Sequence, residues 1–286
     1  MQTRHFPTAC FSALQDIAVS IVSDDKETIL RTIDAAIASP IFKGKGWQAN
    51  LTKLRLVVSS GIPAYSIFAM EGNEKLPFIC FSSLPGVTCP GAGECLNFCY
   101  SFKAWRYPPA FMRQCQNAFL MRFNRDAITN ALTDIVAKMP NGFDMRLYVD
   151  GDFASTSDVT YWFELLNKNP TIRAYGYSKS FDAILGFTGA WPSNYQLNIS
   201  GGHNANASTV NRVKALPITR GEFIAVSIGR KIKSNDHGTP SVNRALREAF
   251  KVKAFTCPGK CGSCTGKGHA CGMSSLKGLP IIIAMH

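Results

Sequence analysis

The chain has no apolar run approaching the roughly 20 residues needed to cross a bilayer, so no membrane partner is expected. Its opening, MQTRHFPTACFSALQD, lacks an uninterrupted apolar stretch and a clear cleavage site. No signal peptide is therefore expected, and the expected location is cytoplasmic. No repeat, coiled-coil heptad or low-complexity tract divides the sequence. There is no P-loop, no Gly-x-Gly-x-x-Gly and no Ser/His/Asp or Cys/His signature, which removes the usual sequence grounds for nucleotide binding or nucleophilic hydrolysis. Acidic residues are scarce: 19 Asp and Glu stand against 31 Lys and Arg in 286 residues, a net charge of +12. With 46% hydrophobic and 17% charged residues the chain is globular rather than disordered.

The positive excess favours an anionic partner, nucleic acid first, and leaves a protein partner open. Such charge draws phosphate without reading sequence. It is concentrated in two places. Lys103, Arg106, Arg113, Arg122 and Arg125 lie between Glu94 and Asp126 with no acid among them. Ten Lys or Arg lie between Arg212 and Lys253 against Glu222, Asp236 and Glu248. Lys103, Arg106, Arg113, Arg230, Lys231 and Lys233 are the expected nucleic-acid contacts; a merely soluble basic surface is the alternative.

What the chain does have is cysteine, ten in all. In a large chain outside the secretory route, clustered cysteines read as metal-binding or catalytic rather than as disulfides. Near the C-terminus, TCPGKCGSCTGKGHAC sets Cys257, Cys261, Cys264 and Cys271 at Cys-x3-Cys-x2-Cys-x6-Cys. Gly259, Gly262, Gly266 and Gly268 between them let backbone wrap closely around an ion or cluster. Four thiolates can complete a [4Fe–4S] cluster or a tetrahedral zinc site. Zinc ribbons prefer two Cys-x2-Cys knuckles, and a single one here favours iron–sulfur, with zinc as the alternative. Upstream, TCPGAGECLNFCY sets Cys89, Cys95 and Cys99 at Cys-x5-Cys-x3-Cys, followed by Tyr100. Three cysteines in a loop imply a second cluster with an open iron or a distant fourth ligand. Cys115 is the candidate fourth ligand, or else a small buried hydrophobe. Cys80 reads as core and Cys10 as incidental.

Hydrophobic periodicity divides the chain into a helical or mixed region (1–75), a βα-alternating region (76–255) and a cysteine segment (256–286). A helix is expected through DKETILRTIDAAIAS and strands through LTKLRLVVSS and AYSIFAM. Beyond them, strands are expected at PFICFSS, MRLYVDGD, TIRAYGYSKS, YQLNISGG and EFIAVSIG, with a helix spanning about 103–138 and another, capped by Ser157, through SDVTYWFELLNKN. Strands alternating with helices imply an α/β fold with a mainly parallel sheet, either a partial (β/α) barrel or a doubly wound sheet. Ligands gather at strand C-terminal ends in both. That gathers the cysteine loop, Asp150-Gly151-Asp152, Ser178-Lys179-Ser180 and Ser200-Gly201-Gly202-His203. Asp150 and Asp152 could hold Mg²⁺, and strand alternation favours Asp152 as the inward one. Lys179 could bind phosphate or a cofactor carboxylate, or be an ordinary exposed lysine. His203, His237 and His269 read as polar loop residues, with His269 a candidate donor beside the cysteines.

The cysteine loop after a barrel's first strand resembles the radical S-adenosylmethionine superfamily. That family's usual Cys-x3-Cys-x2-Cys spacing is absent at Cys89–Cys99 and occurs instead at Cys257–Cys264. Its Gly-Gly-Glu-Pro stretch is replaced by Val149-Asp150-Gly151-Asp152-Phe153. The resemblance implies an open-iron cluster, S-adenosylmethionine as a cofactor held by Gly151, Asp152, Ser178 and Lys179, and Asp152 and Lys179 as catalytic candidates. The chain is more closely similar to the phage and plasmid family known as gene product 88. Three stretches carry this: the CPG…C…CY loop (Cys89 to Tyr100), Gly-Asp-Phe (Gly151 to Phe153) with Tyr-x-Tyr-Ser-Lys-Ser (Tyr175 to Ser180), and the C-terminal cysteines, within about 76–272. It implies a mobile-element origin and iron–sulfur binding, and no particular reaction; the two cysteine groups lead to an expectation of two clusters.

Overall fold

The computed structural model describes residues 8–44, 46–70, 78–97, 99–233, 235–262, 264–265 and 268–285. Gly266, one of the glycines of the cysteine segment, lies outside them.

Three helices open the chain: α1 (Thr8–Ser23), α2 (Lys26–Ala38) and α3 (Trp47–Ser60). Asp25 caps α2, its carboxylate accepting from the Thr28 N–H at 2.7 Å. Ile29 and Ile33 of α2, Leu51, Leu54 and Val58 of α3, and Leu14, Ile17 and Ile21 of α1 are fully or almost fully buried in the main core. Each such side chain contributes roughly 1.5–3 kcal/mol of burial. The stretch LTKLRLVVSS is thus helix, not strand: Leu51, Leu54, Val57 and Val58 recur at helical spacing and share one buried face. The AYSIFAM stretch makes a single antiparallel bridge, Ala69 to Cys80.

The sheet has seven strands: β1 (Ile79–Cys80), β2 (Phe143–Leu147), β3 (Ile172–Ser178), β4 (Tyr195–Ser200), β5 (Thr219–Val226), β6 (Phe255–Thr256) and β7 (Ile281–Ala284). Their order is β1-β2-β3-β4-β5-β7-β6 and every pairing is parallel. The α/β reading with a parallel sheet holds. The IIIA run at the C-terminus was not expected as a strand, yet it enters the sheet between β5 and β6, so the 256–286 segment is part of the sheet.

Helices α4 (Pro108–Phe123), α5 (Arg125–Lys138), α6 (Thr156–Lys168), α7 (Phe181–Leu185), α8 (Ala207–Lys214) and α9 (Pro240–Ala249) connect the strands. The single helix expected over 103–138 is broken: a 3-10 turn (Tyr100–Arg106) precedes α4, and Asn124 ends α4 and caps α5. Ser155, rather than Ser157, caps α6. On α4, three buried amides order the approach to β1. Gln116 accepts from the Ala64 and Tyr65 N–H groups, Asn117 donates to the Ile67 and Ser82 carbonyls, and Gln114 donates to Asp150 at 3.0 Å.

Strand alternation sorts the sheet into two faces. Phe143, Met145, Leu147, Ile172, Ala174, Tyr195, Leu197 and Ile199 join the core shared with the helices. Cys80 and Tyr175, on the opposite face, join a second cluster with Phe78, Ile281 and the C-terminal cysteines; Arg146, paired with Cys80, shares that face. The chain from β6 to β7 must return from one end of the sheet to the other. It does so across this second face, where the 3-10 turn Ala270–Gly272 packs on β3 and β4.

Candidate functional site

At the C-terminal ends of the strands, four loops meet, as the alternation of elements predicts. The cysteine loop after β1 bridges to the loop after β4 through Ala92 and His203. The Ser83 N–H donates to the Asp150 carbonyl at 2.8 Å, tying the same loop to the turn after β2. That turn is forced. Tyr148 adopts φ 54, rare for a side chain of this size and costing about 1–2 kcal/mol, and Gly151 follows at φ 78. A Cβ at Gly151 would stand 2.7 Å from the Thr88 hydroxyl, so the turn and the cysteine loop interlock. A Cβ at Gly91 would run into the Lys179 carbonyl. Gly91→Ala is expected to lower unfolding free energy by about 1–3 kcal/mol and to weaken any metal binding at the upstream thiols. Denaturant titration with metal analysis checks both; an unchanged midpoint would mean the loop does not need this close approach.

Cys89, Cys95 and Cys99 surround this meeting point. Cys89 and Cys95 both feel the charges of Asp152 and Lys179, and Cys99 is in range of each of them. Burial pushes all three thiols up. Cys115 stands elsewhere: it is fully buried in the main core, and burial alone raises its thiol. Asp152 is 4% exposed and its oxygens are already used. Oδ1 accepts from the Phe153 N–H at 2.8 Å and the Ser178 hydroxyl at 2.7 Å; Oδ2 accepts from the Lys179 N–H at 2.7 Å. It clamps the end of β2 to the end of β3. Lys179 is half-buried, its Nζ donating to the Ser200 hydroxyl at 2.6 Å, so it is not an ordinary exposed lysine.

The second site lies on the sheet face crossed by the C-terminal segment. Cys257, Cys261 and Cys264 pack against the apolar cluster that contains Cys271, Cys80, Phe78 and Tyr175. The Gly259 N–H donates to the Cys257 sulfur at 3.4 Å and the Ala270 N–H to the Cys264 sulfur at 3.3 Å, as the interspersed glycines lead one to expect. The Tyr177 hydroxyl hydrogen-bonds Cys271, and Asn198 Nδ2 donates to the Cys271 carbonyl at 2.9 Å. Burial pushes the Cys257 thiol up to about 12 and the Cys271 thiol up to about 11. Metal-free, these groups are protonated thiols near neutral pH, and a metal would have to displace their protons. Among the described residues no three Cys, His, Asp or Glu side chains form a ready-made metal cage. The four sulfurs share one face without being closed around a centre.

Cys80 is core, as its place in the strand predicts, in the cluster on this face and within charge range of Cys261 and Arg146. Other participants escaped sequence reading. Arg146 is 9% exposed and its guanidinium lies 4.6 Å above the Tyr177 ring. Arg220 is fully buried, with Nε donating to Asn198 Oδ1 at 2.6 Å. The detectable signal was an arginine inside an apolar strand, FDMRL. His269 packs between Phe78 (4.6 Å) and Tyr175 (4.5 Å) with its ring tilted to both, and its Nδ1 is buried and unpaired. His203 rests against Phe181 and His237 is buried; among the described residues neither belongs to a group of three or more potential metal ligands.

The basic residues divide. Lys103 and Arg106 are exposed beside Tyr100 and Tyr107, which are 56% and 64% exposed. Arg113 instead turns inward, half-buried in charge range of Asp150 and Cys80. Arg230, Lys231 and Lys233 are exposed on the loop after β5. Loops after parallel strands leave the same edge of the sheet, so both exposed groups follow strand ends on the edge where the cysteine loop also begins. No helix among the described residues is long and apolar enough to cross a membrane.

Compared with known proteins, the chain matches no curated protein and no solved structure. The family model described as gene product 88 matches residues 64–273, a span holding both cysteine groups and the strand-end turns between them. With most of its length in that match, the chain belongs to the gene product 88 family.

Proposed function

We propose that the chain is an iron–sulfur protein of a mobile genetic element that binds nucleic acid along the C-terminal edge of its sheet. What carries the reading is the gathering of Cys257, Cys261, Cys264 and Cys271 on one buried face beside two buried guanidinium groups. A face with cations, hydroxyl and amide donors and protonated thiols fits a thiolate-ligated cluster, whose net charge is negative. Cys89, Cys95 and Cys99 would hold a second cluster at the strand ends, without Cys115. When bound, the clusters supply a fixed fold or a redox-sensitive one. Among the chain's own residues, Gly259 and Ala270 donate to sulfur, Tyr177 holds Cys271, and Asp152 fixes the floor of the upstream site.

The nucleic-acid half rests on the two exposed basic groups. They follow β1 and β5, which stand four positions apart in the sheet, with Tyr100 and Tyr107 available as stacking surfaces. Affinity for labelled DNA or RNA is expected to fall linearly with log salt. Alanine at Lys103 and Arg106, or at Arg230, Lys231 and Lys233, is expected to flatten the slope by about one unit per phosphate contact removed. Arg113→Ala should leave it unchanged. Binding that ignores salt and these substitutions would sink this half.

One observation favours a second reading. The upstream site offers three cysteines beside Lys179 and Asp152, the arrangement that leaves an iron open for S-adenosylmethionine. Against it, Asp152 has spent its oxygens on the chain itself. Formation of 5′-deoxyadenosine by the reduced protein would establish this reading; its absence with an intact cluster would remove it.

A further inference from the structure

Arg146 and Arg220 are the only guanidinium groups fully or nearly fully removed from water among the described residues. The ion pairs found there involve other arginines and lysines, and none pairs either group with a carboxylate. Arg220 is satisfied by neutral acceptors: Asn198 Oδ1 and the carbonyls of Leu276, Leu279 and Glu222. Arg146 is less well served. Its Nε is buried without a hydrogen-bond partner, and its clearest contact is the Tyr177 ring. Asp150 is in charge range without forming an ion pair, and its charge is shared with Arg113. A cation–π contact offsets only part of the cost of burying an ion. The bare chain therefore leaves this charge without a direct ion pair and with Nε unpartnered.

The surroundings name what is missing. Tyr177 stacks under Arg146 and hydrogen-bonds Cys271. Asn198 links Arg220 to the Cys271 carbonyl. Cys261 and Cys80 face Arg146 from the crossing segment and from β1. Both cations thus lie in charge range of one thiol set, Arg146 of Cys261 and Arg220 of Cys271.

We infer that Arg146, seconded by Arg220, is the buried counter-charge of an anionic tetrathiolate centre at Cys257, Cys261, Cys264 and Cys271, and that it helps set that centre's reduction potential. The inference rests on the iron–sulfur reading above. Its consequence has a definite sign. Adding an electron next to a cation is favoured, so removing the cation makes reduction harder. In the metal-free chain the sign is opposite: a buried charge replaced by an apolar side chain of similar length stabilises.

Arg146→Met and Arg146→Lys, prepared without oxygen beside the wild-type chain, test it. The signal to follow is the one lost in Cys271→Ser. In the Met variant, C-terminal iron and sulfide should be lost, or the one-electron reduction equilibrium should shift at least tenfold, 59 mV, to lower potential. The Lys variant should stay within threefold of wild type. Metal-free, the Met variant should unfold at the same or higher denaturant concentration than wild type. The inference is overturned if the Met variant keeps its metal and potential, if Lys and Met behave alike, or if the Met variant does not fold even without metal. In the last case the guanidinium would be holding the bare chain together. A wild-type chain holding zinc without sulfide would fail the iron–sulfur reading alone, and loss of zinc from Met but not Lys would still decide this inference.

Discussion

A Cys271→Ser chain is expected to lose about half of its iron and sulfide and several kcal/mol of stability. Structural tetrathiolate sites contribute on the order of 10 kcal/mol or more through metal-linked folding at neutral pH. Here the link is direct. Cys271 lies in the turn that packs on β3 and β4, 8% exposed, with its carbonyl held by Asn198 and its thiol by Tyr177. Releasing the metal would free the crossing segment between β6 and β7 and unpair the buried cations beneath it. Cys115→Ala provides the contrast. That thiol sits in the main core, so its removal should cost about 1–2 kcal/mol as a small cavity and leave iron and sulfide untouched. Anaerobic denaturant titrations with metal analysis of both variants check this. Equal metal loss in both would restore Cys115 as a ligand.

The second large effect is at Asp152. Asp152→Ala is expected to destabilise the fold by about 3–5 kcal/mol, because it strands three donors in a buried turn, each worth about 1–3 kcal/mol. Those donors are the Ser178 hydroxyl and the N–H groups of Phe153 and Lys179. Asp152→Asn keeps the shape and one acceptor oxygen, and should cost roughly half as much. A residue that gripped a cofactor would behave differently: stability would survive and only a cofactor-dependent product would vanish. Thermal unfolding of the two variants separates these outcomes.

Much of this organisation was legible from residue order. Turn chemistry and βα alternation placed the cysteine loop, the Asp150–Asp152 turn, Ser178–Ser180 and Ser200–His203 at one edge, where they meet. Other parts needed tertiary information. The strand read through MRLYVDGD ends earlier, at Leu147, because Tyr148 turns into the left-handed region, which no local pattern announces. The paired valines of LTKLRLVVSS look strand-like, but their spacing with Leu51 and Leu54 serves a helix face. The β7 run is four residues long and enters the sheet out of sequence order. That insertion carries the C-terminal cysteines across the sheet face and gives Cys80, Arg146 and Tyr177 their common neighbour. Spacing alone could propose four metal ligands; it could not show which buried charges stand beside them.

The central claim, a tetrathiolate iron–sulfur centre on that face with a second cluster at the strand ends, is tested most directly by metal and sulfide analysis of chain purified without oxygen. Two [4Fe–4S] clusters would give about eight iron and eight sulfide per chain, falling to about half when the four C-terminal cysteines become serine. Zinc with no acid-labile sulfide, or iron content indifferent to those serines, would contradict it.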